Sequence, residues 1–290
     1  MLSLRKSILA ALIFAAAPFA SAQNLIPIPS SMELGDGTYS VGTVCRIKAP
    51  KQCAATVDIM SEYLNEIYGV TVKKGRGIVF KLDPAAAPES YELTVNAKGV
   101  RITGDEAGLF YGMRTLQQLM DQYGTLFPFI TVKDAPRFEW RGLMLDCGRY
   151  FFSVEYVKKY IDMLSRFKMN RFHWHLTDDH GWRIQIDKYP ELTRKGAWRP
   201  QRDTWDTLHP VLPEEPMTYG GFYTKDQIRE IVEYAAARHI DVIPEIEIPG
   251  HCSAILAAYP QYACAGTNIV PRAAWSRWGV SSDVWCVGNE

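Results

Sequence analysis

The sequence has no excess of charge of either sign. Its 32 lysine and arginine residues balance 32 aspartate and glutamate residues, so the formal net charge is zero. A basic field that would hold nucleic acid is therefore missing, and no acidic tail suggests a cationic partner. After residue 22 there is no second long apolar run, so we expect no membrane span. These absences exclude a nucleic-acid-binding protein and a membrane span after residue 22.

The first 22 residues have the pattern of a secretory signal peptide. Arg5 and Lys6 form a short basic start, residues 8–17 are an apolar run, and residues 20–22 are small. We therefore expect cleavage before Gln23 and an exported protein, periplasmic or secreted. The alternative is a membrane anchor, but the run is short for a span. No cysteine follows the expected cleavage site, so we expect no lipid anchor.

The six cysteines lack the paired CxxC spacing of a zinc site. In an exported protein they permit disulfides. Two pairs could bridge: Cys45 with Cys53, and Cys264 with Cys286. The connectivity stays open, because cysteine spacing alone does not determine it. Cys147 and Cys252 lie in apolar or motif segments, so we expect buried thiols there.

Residues 23–135 have the pattern of a small α/β domain. Apolar residues recur at helical spacing in two stretches, and three apolar runs of strand length lie between them. The predicted helices cover residues 54–68 and 106–121, and the predicted strands cover residues 78–82, 91–95 and 99–103. The expected buried face of the first helix consists of Val57, Met60, Tyr63, Leu64 and Ile67, and that of the second consists of Leu109, Met113, Leu116 and Met120. Residues 134–136 (Asp-Ala-Pro) break this pattern, so we place a domain boundary after residue 135.

In residues 136–290, short apolar strands alternate with amphipathic helices. Strands are predicted at residues 142–146, 171–176 and 241–247, and Ser153 and Thr224 are the expected N-caps of two helices. The expected buried stripes of these helices are Val157, Ile161, Leu164 and Phe167 in the first, and Ile228, Ile231, Val232 and Ala235 in the second. This alternation implies parallel strands joined by right-handed crossovers. Three strand–helix units fit, which is less than half of a closed (β/α)8 barrel.

Polar side chains lie at or just past the ends of these three strands. Asp146 ends the first, His175 lies at the end of the second with Asp178 just past it, and Glu245 and Glu247 lie at the end of the third. In a (β/α) barrel the carboxyl ends of the strands form the face that carries catalytic groups. The pattern therefore predicts an active site at this face.

Arg149 follows the first of these strand ends. Its planar guanidinium could hold two sugar hydroxyls at once. The alternative is a structural ion pair with Asp146. Both readings remain open at the level of the sequence.

A rival hypothesis is a metal-dependent hydrolase that uses His173, His175 and Asp178. The two histidines alternate on one strand, so both side chains point to the same face. Their spacing to Asp178 does not match a metal-binding signature, so we expect no metal there, and a hydrogen-bonded support layer in its place. His251 follows a sharp turn at Pro249-Gly250. It is a candidate relay partner of Asp178.

Four stretches of the sequence together resemble one enzyme family. They are DEAGLFYGMRTLQQ at residues 105–118, WRGLMLDCGRYFF at 140–152, NRFHWHLTDD at 170–179 and IPEIEIPGH at 243–251. They look like the opening of family 20 glycoside hydrolases, the β-N-acetylhexosaminidases. The resemblance covers the chain after residue 22. It implies a small α/β N-terminal domain followed by the first part of a (β/α)8 TIM barrel.

The resemblance also implies a reaction. Enzymes of this family cleave terminal non-reducing N-acetylglucosamine or N-acetylgalactosamine from β-linked glycans with retention. The acetamido oxygen of the substrate attacks C1 in place of a protein nucleophile, because it is already tethered to the sugar. An Asp steadies the acetamido group, and the neighbouring Glu protonates the leaving oxygen. A glycan partner and no metal or organic cofactor are therefore expected.

By position in the motifs, the resemblance assigns Arg149 to the sugar hydroxyls, and Asp178 and His251 to the pair that supports the catalytic acid. Tyr150 stands where the family usually has His, which affects the fine substrate contacts. The His-x-Gly-Gly-Asp-Glu strand of the family does not occur in these residues. We therefore expect this chain alone not to turn over substrate. The alternative is a non-catalytic glycan-binding protein on the same scaffold.

Overall fold

The computed structural model describes residues 24–201, 214–264 and 283–288. The predicted signal peptide at residues 1–22 lies outside them. Within the described ranges, no helix has the length and apolar character needed to cross a membrane. The chain divides into two compact units, Met1–Glu139 with Arg166–Lys168, and Trp140–Ser165 with Met169–Glu290. We call them unit 1 and unit 2.

Unit 1 is built on a seven-stranded mixed sheet. The strands are β1 (Ser31–Ser40), β2 (Val44–Lys48), β3 (Thr71–Lys74), β4 (Ile78–Leu82), β5 (Tyr91–Asn96), β6 (Gly99–Gly104) and β7 (Leu126–Asp134). Their order is β1-β7-β5-β6-β4-β2-β3. Pairing is antiparallel from β1 to β6 and parallel from β6 to β3. The predictions of β4, β5 and β6 are confirmed.

Helix α2 (Glu106–Tyr123) packs its apolar stripe on this sheet. It begins after Asp105, whose carboxylate accepts a hydrogen bond from the Gly108 amide at 2.7 Å, as an N-cap residue does. The four residues predicted to point inward are fully buried: Leu109, Met113, Leu116 and Met120. The prediction of this helix and of its buried face is confirmed.

Helix α1 (Ala54–Tyr68) buries Met60 and Leu64 as expected, but Ile67 is 60% exposed. The helix ends at the next residue, and Gly69 adopts a left-handed φ of 64°. The Val70 amide then bonds back to the Leu64 carbonyl at 3.0 Å. This C-terminal motif turns the following apolar residue onto the helix, so Val70 is buried where Ile67 was predicted.

Unit 2 alternates strands and helices along the chain. Its elements in chain order are β8 (Gly142–Asp146), α3 (Val154–Arg166), β9 (Arg171–His175), β10 (Thr177–Asp178), β11 (Gly181–Trp182), α4 (Glu191–Arg194), β12 (Trp198–Arg199), β13 (Tyr219–Gly220), α5 (Lys225–Ala236), β14 (Asp241–Glu245) and α6 (Ser253–Ala258). Strands β8, β9 and β14 form a parallel sheet with β9 in the centre. The prediction of three parallel strands is confirmed.

One face of this sheet carries the core of unit 2. Leu145, Phe172 and Trp174 point to this face. They pack against apolar residues of α3 and α5, namely Val157, Ile161, Leu164, Ile231 and Ala235. Since side chains alternate along a strand, the polar residues between them point to the opposite face.

The N-caps predicted for α3 and α5 are both present. Ser153 Oγ accepts the Tyr156 amide at 3.3 Å. Thr224 and Gln227 form a reciprocal capping box. Two residues expected on the buried stripes are exposed, Phe167 at 40% and Val232 at 43%. Phe167 lies beyond the end of α3, where helical spacing no longer applies, and Val232 is one residue off the stripe of α5.

Four cysteines are buried thiols, namely Cys45, Cys53, Cys147 and Cys252. This confirms the expectation for Cys147 and Cys252. The suggestion that Cys45 and Cys53 could form a disulfide was wrong, since both are free thiols, and each is packed separately into the core of unit 1. The Cys264 and Cys286 thiols share a hydrogen bond, so a disulfide between these two stays a prediction.

Candidate active site

Three polar side chains meet at the carboxyl ends of β8, β9 and β14. Asp146 is paired in register with His175, and His175 with Glu245. Each is the last residue of its strand. Because paired residues of neighbouring parallel strands point to the same face, the three side chains form one polar group opposite the apolar core.

Arg149 is held by two carboxylates at this edge. Its backbone amide donates to Asp146 Oδ1 at 3.0 Å, and its Nη1 donates to Asp146 Oδ2 at 2.5 Å. Its Nη2 lies 3.0 Å from Asp178 Oδ2. A quarter of the side chain is exposed. These contacts with described residues hold the guanidinium in place. They use only some of its five N–H donors, so the group can still bind a ligand.

Asp178 is the buried centre of the site, with 1% of its surface exposed. Its Oδ1 accepts the Asp179 amide at 2.7 Å and lies 3.3 Å from His180 Nδ1. Burial by itself would raise the pKa of Asp178. The contacts with His175 and His180 and the positive charge of Arg149 outweigh burial and hold this pKa well below the ordinary aspartate range. Asp178 is therefore an ionised carboxylate at neutral pH.

His175 is buried next to Asp178. Its Nε2 is 2.7 Å from the Thr177 carbonyl and 3.4 Å from Asp178 Oδ2. A carbonyl only accepts hydrogen bonds, so Nε2 carries the proton and donates it. Burial lowers the pKa of His175, but Asp178, Asp146 and Glu245 outweigh this and leave the pKa raised.

His251 faces the same carboxylate from the loop after β14. Its Nδ1 lies 3.6 Å from Asp178 Oδ1 and 3.5 Å from Asp179 Oδ2, and 42% of its side chain is exposed. Asp179 Oδ1 fixes this loop, since it accepts the Ser253 amide at 3.0 Å and the Ser253 hydroxyl at 2.9 Å. The structure thus brings Arg149, Asp178 and His251 together around one carboxylate.

Glu245 and Glu247 form a second acidic pair beside His173. His173 Nε2 lies 2.5 Å from Glu245 Oε2. Burial raises the pKa of Glu247, and the hydrogen bond and negative charge of Glu245 raise it further. Burial acts in the same direction on Glu245, but His175 and the Glu247 hydrogen bond outweigh it and lower the pKa. Of the two carboxyl groups, Glu247 therefore has the higher pKa.

Two groups in the described part of the chain have ligand atoms close enough to hold a metal ion. They are His175 with Glu245 and Glu247, and Asp178 with Asp179 and His251, each with atoms within 4.8 Å of one another. The rival set of His173, His175 and Asp178 is not among them, and the His173 ring contacts Glu245.

Asp179 and Arg183 were not predicted as parts of the site. Both are almost completely buried on or beside the hairpin of β10 and β11. Burying an ion requires partners that replace water. The sequence offers two signals that could have identified them: a second aspartate directly after Asp178, just past the predicted strand, and an arginine between Trp182 and Ile184.

Known proteins share both halves of this architecture. A family model described as "Glycosyl hydrolase family 20, catalytic domain" matches residues 138–290, and one described as "Glycosyl hydrolase family 20, domain 2" matches residues 22–135. A β-hexosaminidase of Porphyromonas gingivalis is 39% identical over 289 residues, 92% of this chain and 35% of that protein. A β-hexosaminidase of Vibrio furnissii is 39% identical over 249 residues, 84% of this chain and 40% of that protein.

A solved structure shows the same fold. The N-acetyl-β-hexosaminidase of Streptomyces plicatus, in complex with thio-NAglucal, superposes with a TM-score of 0.77 at 35% identity. The match covers 92% of this chain and 53% of that one. Across these three relatives the chain spans 35% to 53% of their length. With a small α/β domain followed by the first part of a TIM barrel, the chain belongs to glycoside hydrolase family 20.

Proposed function

We propose that the native polypeptide carrying this sequence is a β-N-acetylhexosaminidase. It hydrolyses terminal non-reducing N-acetylglucosamine or N-acetylgalactosamine from β-linked glycans. The observation that carries the proposal is the joint position of Arg149, Asp178 and His251 at the strand ends, the face where barrel enzymes bind substrate. The names of the curated relatives, which are β-hexosaminidases, support it.

Arg149 is the proposed sugar-binding residue. Asp146 and Asp178 hold its guanidinium from two sides before any ligand arrives. A fixed planar fork loses little conformational freedom when it donates to neighbouring hydroxyls. It can therefore orient the sugar ring at the strand ends.

Asp178 and His251 are the proposed supporting pair of the catalytic acid. Asp178 cannot itself be the acid, because its pKa lies well below the working range that general acid catalysis needs. His251 turns Nδ1 toward the two aspartates, so Nε2 lies on the far side of the ring. That nitrogen is positioned to contact an acid supplied from another part of the protein.

The proposed reaction is substrate-assisted and retaining. The acetamido oxygen of the sugar attacks C1 to form an oxazolinium ion, and water then opens it. The Asp–Glu pair that assists the attack and protonates the leaving group lies outside this sequence. Residues 24–290 alone are therefore proposed to be inactive.

The test compares two chromogenic substrates, an aryl N-acetyl-β-glucosaminide and the matching aryl β-glucoside. The native polypeptide should release nitrophenol from the first alone, because only that sugar carries the internal nucleophile. Equal turnover of both would contradict the proposal. A folded protein that binds N-acetylglucosamine without turnover would support the glycan-binding alternative.

The same assay on residues 24–290 tests their proposed inactivity, with circular dichroism to establish folding. We expect the folded protein to release no nitrophenol. Turnover would show that an acid within this chain suffices, and Glu247 would then be the first candidate because its pKa is raised.

We also propose that the protein is exported through residues 1–22. The basic start, apolar run and small residues before Gln23 support this. Cell fractionation and N-terminal sequencing test it. A mature chain that begins at Gln23 outside the cytoplasm is expected, and a cytoplasmic chain that keeps Met1 would contradict it.

A further inference from the structure

Arg183 is a fully buried cation that is held by backbone carbonyls. Its Nε lies 3.1 Å from the Cys147 carbonyl, and its Nη2 lies 2.9 Å from the Gly148 carbonyl. The remaining contacts go to the carbonyls of His180, Ala197 and Gly221, at 3.3, 2.5 and 3.1 Å. None of these partners is a carboxylate. Burial and the nearby charge of Arg199 lower the pKa of Arg183 to about 10, so it stays charged at neutral pH.

Three of these carbonyls, those of Cys147, Gly148 and His180, come from the segments that carry the site. Cys147 and Gly148 directly precede Arg149, and His180 lies two residues after Asp178. One guanidinium therefore ties the backbone of the proposed sugar-binding residue to the backbone of the central carboxylate. Such a link needs several donors in a rigid plane, which lysine does not have.

The chain leaves space for this side chain. A Cβ atom at Gly181 would lie 2.2 Å from Arg183 Cζ, and one at Gly148 would lie 3.0 Å from Asp178 Cβ. Glycine at both positions lets the hairpin of β10 and β11 approach the Arg149 segment closely. The space and the hydrogen bonds thus point to the same role.

A second buried arginine, Arg199, contacts the next carbonyl of the same segment. Arg199 Nη2 lies 3.3 Å from the Arg149 carbonyl. Its guanidinium lies 4.3 Å from the Tyr219 ring and 5.5 Å from the Tyr150 ring. The three successive carbonyls of residues 147–149 therefore all contact buried guanidinium groups. The two cations repel each other, a cost that a purely apolar packing of this segment would avoid.

We propose that Arg183 is a positioning residue that fixes the Arg149 guanidinium against Asp178 for sugar binding. The kinetic part of this inference rests on the proposed function. Arg149 would hold the sugar equally in the ground state and the transition state. Losing its placement should therefore raise KM and leave kcat nearly unchanged. A merely structural role would instead lower the active fraction, which reduces the apparent kcat at constant KM.

The test uses Arg183→Lys in the native polypeptide, with Arg238→Lys as the matched control. Arg238 is also a buried arginine of unit 2, but its guanidinium bonds to Asp162 and the Tyr234 carbonyl on the helical side. For Arg183→Lys, KM for the aryl N-acetyl-β-glucosaminide should rise between about tenfold and hundredfold. Arg238→Lys should leave KM unchanged. An unchanged KM with a lower kcat for Arg183→Lys would overturn the inference.

A double-mutant cycle with Arg149→Ala tests whether Arg183 acts through Arg149. If it does, adding Arg183→Lys to Arg149→Ala should not raise KM further, because the group being positioned is gone. Additive effects of the two changes would overturn the inference.

Amide hydrogen exchange separates this inference from the proposed function, since it needs no turnover. Arg183→Lys should speed exchange at residues 147–149, whose amides now bond to His175 and Asp146. Arg238→Lys should not. Faster exchange in a protein without hexosaminidase activity would keep the positioning role and reject the proposed function. Unchanged exchange at these residues would overturn the positioning role itself.

Discussion

Asp178 keeps a negative charge in a place from which water is excluded. Only 1% of its surface is exposed, and its charge is balanced by Arg149 and by hydrogen bonds from its neighbours. Interactions between charges are stronger in such a low-dielectric setting than at the surface. The effect of changing this one residue should therefore be large.

Asp178→Asn should lower kcat/KM of the native polypeptide on the acetamido substrate by roughly a hundredfold or more. The amide keeps the shape of the side chain but removes the charge that holds Arg149 and His175. Asp187→Asn is the control, because that side chain is 62% exposed and its contacts, with Lys225 and Gln185, lie away from Arg149, Asp178 and His251 in the contacts described. Steady-state kinetics measure both variants, and wild-type kcat/KM for Asp178→Asn would contradict the role given to this charge.

His175 should give the protein a stability that falls with rising pH. Its folded-state pKa is raised above the ordinary histidine value of about 6.5. A raised pKa contributes stability that is fully present below that value and is lost as the pH rises through the folded-state pKa. Denaturant unfolding of the native polypeptide across this range should show the decline, and His175→Gln should reduce its slope. An equal slope in both proteins would contradict the assignment.

At the scale of elements, the capped and periodic helices and the apolar strands β4, β5 and β6 were predictable, whereas strands β3 and β7 were not. The N-terminus of helix α5 is marked in the sequence by the capping residues Thr224 and Gln227, and that of α2 by the N-cap residue Asp105. By contrast, β3 has four residues, and only one of them is apolar. Strand β7 contains Pro128, and a proline normally disfavours the interior of a strand. Pro128 is tolerated because it pairs where the register of β1 shifts.

The same contrast applies to the site. The ends of three strands could be located from the apolar runs, so the meeting of Asp146, His175 and Glu245 was predictable. The role of Arg183 was not, because it depends on carbonyls from chain segments that only the folded structure brings together.

Thr224→Ala should lower the free energy of unfolding by about 1 kcal/mol. The Thr224 hydroxyl accepts a hydrogen bond from the Gln227 backbone amide at 3.2 Å, and Gln227 Oε1 accepts one from the Thr224 backbone amide at 2.9 Å. Thr224→Ser is the control, since it keeps the hydroxyl and should stay close to wild type. Chemical denaturation of the native polypeptide measures both, and equal losses in the two variants would show that the capping bond is not the cause.

At the scale of the whole molecule, the parallel sheet of unit 2 has two open edges in the described residues. Strands β8 and β14 each pair only with β9. Apolar side chains on or next to these strands are exposed, including Met144 at 47% and Ile248 at 56%. Open strand edges and exposed apolar surface favour association with other chains.

Residues 24–290 expressed alone should therefore associate or unfold in part. Size-exclusion chromatography with light scattering should show species larger than a monomer. Met144→Lys should reduce their amount more than Ile67→Lys, which changes a similarly exposed residue on a helix of unit 1. A wild-type monomer with a sharp cooperative melt would contradict this expectation.

The central claim is that the site around Asp178 holds the sugar. A crystal structure of the native polypeptide with bound N-acetylglucosamine tests it most directly. The account predicts ring hydroxyls of the sugar within about 3 Å of the Arg149 guanidinium nitrogens, with Arg149 still between Asp146 and Asp178. A sugar bound elsewhere, or bound without contact to Arg149, would contradict it.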